Sequence, residues 1–378
     1  MFLVSTQHAK DQRMSLSRKK ISIIKNVARA LYNYKRKKVL LDNLPTVLWI
    51  EPTNKCNLKC IMCPNSRIPK DRLGFMDWHV YKKIIDEAKQ FTSSAYMLLA
   101  GESLLHKDIY KMIRYAADNN IRPLVNTNGT TLTSEEKRIA LLESGVKHIT
   151  FAFDGYNKET YEKIRIGADY DIVVEGIIEF LKEKKNRRLR EPCVTITTLE
   201  VGVEDYQSKA DAKKQFHKLF DGLPVDQFIA KTPNTWGGVF KDTNRFTHHQ
   251  IDKKKFYPCS HLWSTMSICW DGTVVPCCFD FFNNYVLGNV KEKSLKDIWN
   301  DEPMLKLRRA MLDGTYHALD PICKDCVILY LDAILGVPAG MRTAVKDMIT
   351  NFLGTRIEKS IVKCAKKIKP SYSLRIDN

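Results

Sequence analysis

Between Thr46 and Ala230, short apolar runs of strand character alternate with stretches of helical periodicity, an arrangement few folds other than a parallel α/β sheet can satisfy. The runs are TVLWIEPT, YMLLA, RPLVN, HITFAF, CVTITTL and VDQFIA. Between them the spacing of apolar residues predicts helices over 78–90, 107–119, 134–143, 172–188 and 205–220. Repetition at about 25 to 35 residues a unit implies right-handed crossovers. The expectation is an α/β protein built on a partial (β/α)6 TIM-like barrel, with its chemistry at the loops leaving the C-terminal strand ends.

Charge narrows the partners. The 378 residues carry a formal +18, from 61 Lys and Arg against 43 Asp and Glu. Residues 1–45 hold 11 Lys or Arg and two acids, and residues 342–378 hold nine and three. The centre is therefore almost neutral, which argues against a nucleic-acid groove through the barrel. Helical spacing from residue 17 to 41 makes the first arm a basic amphipathic helix, and residues 339–370 read similarly. Neither has the roughly 18 to 20 continuous apolar residues of a membrane span. The N-terminus lacks a convincing secretory h-region. A cytoplasmic protein is expected, held peripherally at the inner face of an anionic membrane or with both helices docked on the barrel.

Eleven cysteines are too sparse for a disulfide scaffold, but their placement is informative. EPTNKCNLKCIMCPN sets Cys56, Cys60 and Cys63 just past the first strand, as Cys-x3-Cys-x2-Cys. Thiolate-rich sites select iron-sulfur clusters or zinc, and a zinc site would want a fourth ligand that this loop lacks. Three thiolates suit a cubane with one iron left open. Further on, Cys259, Cys277 and the Cys323-x2-Cys326 pair supply four thiolates, for which zinc and a cubane are both open readings on composition alone.

The triad resembles the defining motif of the radical S-adenosylmethionine (SAM) superfamily. YMLLAGES, with Gly101 and Glu102, is similar to that family's Gly-Gly-Glu-Pro segment, with Ala100 and Ser103 in place of Gly and Pro. The resemblance implies that Cys56, Cys60 and Cys63 hold a 4Fe-4S cluster, and that Gly101, Glu102, Asn128 in VNTNGT, Asp154 in FAFDG and Arg165 in YEKIR contact SAM. The family's aromatic before the third cysteine is replaced by Met62, and its Gly-x-Ile-x-Gly-x-x-Glu segment is not visible around 194–204. The later segment, with WDGTVVPCC, LGNV and SLKDIWN, resembles the SPASM or twitch extension of such enzymes. That implies a small C-terminal iron-sulfur extension with one auxiliary 4Fe-4S cluster on Cys259, Cys277, Cys323 and Cys326.

The implied domains are an N-terminal helix (1–45), a barrel (46–245), an auxiliary-cluster domain (246–330) and a basic helical tail (331–378). Of the remaining cysteines, Cys269 and Cys278 are candidate hydrogen-atom donors or small core residues, a ligand assignment swapped between Cys277 and Cys278 is also open, and Cys193 has a weaker claim at the start of its strand. His261 reads as a local hydrogen-bonding residue, and His248 and His249 as loop residues that could meet a phosphate. The resemblance implies a radical SAM oxidoreductase or epimerase served by a reducing donor such as flavodoxin or ferredoxin. A sugar, polyol or lipid-linked glycan is the favoured substrate. Residues 1–45 are too short and too helical for the leader-binding domain of many peptide maturases. A ribosomal-peptide maturase, an RNA-modifying enzyme and a noncatalytic metal scaffold are the alternatives.

Overall fold

A computed structural model describes residues 2–199, 206–231, 236, 239, 256–330, 333 and 337–353. The six expected strands form: β1 Val47–Ile50, β2 Ser94–Met97, β3 Arg122–Thr127, β4 His148–Ala152, β5 Cys193–Leu199 and β6 Gln227–Lys231. A long helix, α1 Phe2–Lys35, precedes them. The crossovers carry α2 Trp78–Ala88, α3 Ile109–Asp118, α4 Glu135–Glu143, α5 Lys158–Ile164, α6 Tyr170–Asn186 and α7 Tyr206–Lys218. Polar caps set several starts: Asp77 accepts the His79 N–H of α2, and Asp169 accepts the Ile172 N–H of α6. The short α5 went unforeseen because seven residues give too little periodicity to read.

All six strands pair in parallel, in the order β6-β5-β4-β3-β2-β1. The sheet then continues into β7 Thr265–Ile268, parallel to β1, and into the antiparallel β8 Thr273–Val275 and β9 Gly288–Asn289. Among the described residues nothing pairs β6 with β9, so the barrel stays open. The cysteine-rich extension thus joins the barrel sheet through backbone hydrogen bonds at β1, the strand that delivers the triad.

Register divides the faces. Leu48, Ile50, Ala95 and Met97 join the helix-packed core, with the Tyr81 hydroxyl of α2 against the Met97 sulfur. Their neighbours point inward, where Trp49 stacks on Tyr96 at 4.6 Å between ring centroids. Cross-strand partners share a face, so Ser267 belongs with Trp49, and Asn126 with Thr150.

The described parts of both basic segments dock. Ile23, Val27, Ala30 and Tyr34 of α1 are buried, and Asn26 exchanges hydrogen bonds with the Leu44 backbone and donates to Phe91 O. The Tyr34 hydroxyl donates to Pro258 O, tying α1 to the extension. The C-terminal helix Ala339–Leu353 packs on α1, and its buried Asp347 accepts from the Tyr96 hydroxyl and pairs with Arg122. His248, His249 and Cys364 lie outside the described residues.

Candidate functional site

The loop leaving β1 is held by the segment around Arg165, in a role that sequence reading did not give it. Lys59 N–H donates to Ile166 O at 2.9 Å and Ile61 N–H to Ile164 O at 3.0 Å. This pairing brings Arg165, at the end of α5, beside the triad, where its charge acts on Cys56, Cys60 and Cys63. Arg165 is buried, with one guanidinium nitrogen 2.7 Å from Asp154 Oδ2, while Asp154 Oδ1 accepts the Leu199 N–H at 2.8 Å. The Nε of Arg165 is buried without a hydrogen-bond partner. A buried orphan donor on a cation is suited to an anionic ligand group arriving beside the triad.

Glu102 is buried, and its carboxylate accepts from the Thr127 hydroxyl (2.9 Å), the Leu104 N–H (3.1 Å) and the Asn128 N–H (2.7 Å). Burial raises its pKa against the pull of these donors. The Asn128 amide donates to Asn57 Oδ1 in the triad loop. Four of the five residues expected around SAM thus follow neighbouring strands, with Glu102 bonded to Asn128, and Arg165 joins Asp154 from the end of α5. Gly101 is required by close approach, because a Cβ there would sit 2.3 Å from Thr53 O and 2.6 Å from Lys55 O. Gly101→Ala is expected to cost about 1–3 kcal/mol by forcing the two loops apart, read as a lower urea midpoint.

In the extension, five cysteines converge where four were expected. The Cys277 sulfur lies within electrostatic reach of Cys259, Cys278, Cys323 and Cys326, and that of Cys278 within reach of Cys326. Backbone N–H groups aim at the ligand candidates: Leu58 and Asn57 at Cys56, Asn65 at Cys63, His261 and Leu262 at Cys259, Ile328 and Leu329 at Cys326. Donors of this kind stabilise thiolates in iron-sulfur sites. Burial raises the Cys60 thiol to about 11 and Cys259 to about 12, so these groups keep their protons until metal displaces them. Among the described residues no three His, Cys, Asp or Glu side chains close on a single-ion site. Sets made of thiols alone, with backbone N–H groups aimed at several of the sulfurs, have the donor chemistry that an iron-sulfur cluster takes. His261 is half-buried, pushed down to about 4 by desolvation, and bonded to the Thr265 hydroxyl, the local role expected of it.

Cys269 stands apart from that group. It sits just past β7, buried, with its sulfur 3.3 Å from Asn283 Oδ1. Beside it is Glu51, just past β1, whose carboxylate accepts the Ala100 N–H and the Trp270 N–H, each at 3.1 Å. Cys269 and Glu51 share the wall of a cavity of about 580 Å3 between the triad loop and the hairpin of the extension. Sequence reading missed Glu51, although an acid ending a buried apolar strand is a usable signal. Burial raises its pKa from 4.5 to about 7, against the two N–H groups. A carboxyl protonated in the fold but ionised in the unfolded chain costs stability as pH climbs from the lower value to the higher. The loss is on the order of 3 kcal/mol and persists above the window. Urea unfolding at about pH 5 and 8 checks this: Glu51→Gln should show a smaller fall across the interval than the unsubstituted protein.

Trp236 was also missed, being one aromatic in a polar connector. Its Nε1–H donates to Met62 O at 2.7 Å, and its ring meets Phe279 and Phe281 edge-on at 5.3 and 5.0 Å. It bridges the triad loop and the extension. Met62 itself packs with Ile164 against Cys60 and Leu199.

Residues 50–205 match the family model described as the radical SAM superfamily, and residues 259–327 match the SPASM iron-sulfur cluster-binding domain. The tungsten-containing aldehyde ferredoxin oxidoreductase cofactor-modifying protein of Pyrococcus furiosus is 27% identical, over 74% of this chain and 86% of that protein. The SAM-dependent 2-deoxy-scyllo-inosamine dehydrogenase of Niallia circulans is 22% identical, over 76% and 94%. Among solved structures, BtrN in complex with AdoMet and 2-DOIA superposes with a TM-score of 0.52 at 20% identity, covering 78% of this chain and 98% of that one. Native anSMEcpe with bound AdoMet gives 0.51 at 18%, covering 86% and 100%. At these identities the two structures speak for the fold.

Proposed function

Because the chain belongs to the radical SAM superfamily and carries a C-terminal SPASM-type iron-sulfur domain, we propose that it oxidises or epimerises a carbon centre of a sugar, polyol or lipid-linked glycan. It is an enzyme that binds SAM, and enzymes of this family require an external electron donor, for which a flavodoxin or ferredoxin is proposed. When bound, the triad's cluster and SAM supply a 5'-deoxyadenosyl radical that takes a hydrogen atom from substrate. The residues proposed to hold that cluster are Cys56, Cys60 and Cys63. Gly101 brings the β2 end against the triad loop, Glu102 and Asn128 fix the β2 and β3 ends to each other, and Arg165, steadied by Asp154, offers its free Nε–H to the carboxylate of SAM.

The observation that carries the substrate class is the cavity of about 580 Å3, within the range of small-molecule sites. Trp270 and Phe281 offer flat apolar walls, and Glu51, Asp271 and Glu292 offer acceptors for hydroxyl or amino groups. On the barrel's inner face, Asn126 Oδ1, Thr197 Oγ1 and Ser267 Oγ are buried without partners, which favours a ligand rich in hydroxyls. Cys269 lines the cavity and is the better placed hydrogen donor, whereas Cys278 lies with the auxiliary cysteines. The test is anaerobic incubation with SAM and deuterated sugars or polyols. Deuterium is expected in 5'-deoxyadenosine; label arriving only from peptides would sink the substrate class.

Cys259, Cys277, Cys323 and Cys326 are proposed to hold the auxiliary cluster, because Cys277 reaches all three others. Cys277→Ala should remove about half the iron, while Cys278→Ala should keep it. Iron analysis with the reverse result would exchange the two assignments.

A further inference from the structure

Helix α1 carries two apolar stripes, and docking uses one. Ile23, Val27, Ala30 and Tyr34 recur at helical spacing and are buried against the barrel and extension. Ile21, Ile24, Ala28 and Tyr32 recur at the same spacing on the other side of the helix and face solvent, with Ile21 49%, Ile24 45% and Tyr32 53% exposed. Leu40, just beyond the helix, is 67% exposed. Isoleucines left in water on a helix whose packing face is already satisfied need another reason for their place.

The flanks of this stripe are cationic. Lys25, Lys35 and Arg36 are exposed around it, Lys37 and Lys38 follow, and no acid occurs between Gln12 and Leu41. Arg36 and Lys38 both lie over the Tyr32 ring, at 5.9 and 5.1 Å from its centroid. A narrow apolar ridge bordered by cations is the pattern of a helix lying in a bilayer interface, its ridge among acyl chains and its cations among anionic headgroups. Among the described residues no helix is long and apolar enough to cross a membrane, so contact of this kind is peripheral.

We propose that the outer stripe of α1, Ile21, Ile24 and Tyr32 with its flanking lysines and arginines, docks the protein on an anionic lipid surface. This goes beyond the reaction proposed above and stands or falls without it, since binding is read with no substrate or turnover. The occupant is a lipid surface rather than an acidic protein because the apolar groups form a single row with cations along it, where a protein interface would need a broad apolar centre.

Full-length protein is mixed with phosphatidylcholine vesicles containing about one third phosphatidylserine, and with pure phosphatidylcholine vesicles, then sedimented. The expected result is capture by the anionic vesicles, weakened by salt, and poor capture by the neutral ones. Ile21→Ser, Ile24→Ser and Tyr32→Ser together should reduce binding at least about tenfold, and Lys25→Glu with Lys35→Glu by at least about fivefold for each cation removed. These side chains are outside the docked face, so the thermal midpoint should hold and shows that the variants fold. Equal capture by both vesicle types overturns the proposal, as does undiminished binding of the folded triple-serine variant. So does a dimer in light scattering that the serine variant dissociates while wild type ignores vesicles.

Discussion

Changing Cys60 to Ala is expected to leave the barrel folded while abolishing SAM cleavage and removing the iron of one cluster. The sulfur packs beside Met62 and Ile164 in a small satellite cluster outside the main core, so little hydrophobic stabilisation goes with it. The loop stays tethered through Lys59 and Ile61 to Ile166 and Ile164, which depends on backbone atoms alone. Two thiolates cannot take over the work of three, and Glu102, the nearby carboxylate, is committed to Thr127, Leu104 and Asn128. Loss of an outer partner of a metal ligand typically costs about 10–100-fold, so loss of the ligand itself should lower 5'-deoxyadenosine formation by at least about a thousandfold. Iron should fall from about eight to about four atoms per chain, with the auxiliary cluster's spectrum retained. Full iron with unimpaired cleavage in the variant would remove Cys60 from the site.

The strands were legible in the sequence because a parallel sheet buried on both faces needs continuous apolar runs, and six such runs recur. The second strand was displaced: the run YMLLA suggested residues 96–100, and the strand is Ser94–Met97. Leu98–Ala100 leave the sheet because the Ala100 N–H is claimed by Glu51 and Met97 O accepts from Ser103. No periodicity encodes that exchange. The triad's position was legible from its spacing, but the tether that grips it was not, since the bonds from Lys59 to Ile166 and from Ile61 to Ile164 join backbone atoms and leave no mark in the side-chain pattern. Likewise the helical spacing in residues 17–41 announced an amphipathic helix, but not that its apolar residues would divide into a buried stripe and one left in water. That depends on what the remainder of the chain brings against the helix: the Leu44 backbone, the Pro258 carbonyl and the C-terminal helix. The sequence left the ligand assignment open between Cys277 and Cys278, because adjacent residues in a turn can both reach one centre, and both lie with the other three cysteines.

The second large effect concerns the ion pair beside the triad. Asp154→Ala should destabilise the metal-free protein by about 3–5 kcal/mol, since it leaves the buried Arg165 guanidinium without its counter-charge. With the thiols of Cys60 and Cys63 held neutral by burial, no other anion comparably placed among the described residues can replace the carboxylate; Glu102 acts on Arg165 but spends its oxygens on its own donors. Against a typical total of about 5–15 kcal/mol, that is a large share. Arg165→Met in the same chain removes the stranded charge, so the double variant should recover much of the loss, and the two single effects should not add. Iron loading supplies a second handle, because deprotonated sulfurs would lend Arg165 new negative neighbours and shrink the penalty of Asp154→Ala. Urea unfolding of the four proteins, with and without reconstituted clusters, reads both quantities. The double variant should still bind SAM poorly, as the orphan Nε–H of Arg165 is gone whether or not the fold recovers. Recovered stability with wild-type SAM affinity would mean that the pair serves packing alone, and that the carboxylate of SAM is held elsewhere on the barrel rim.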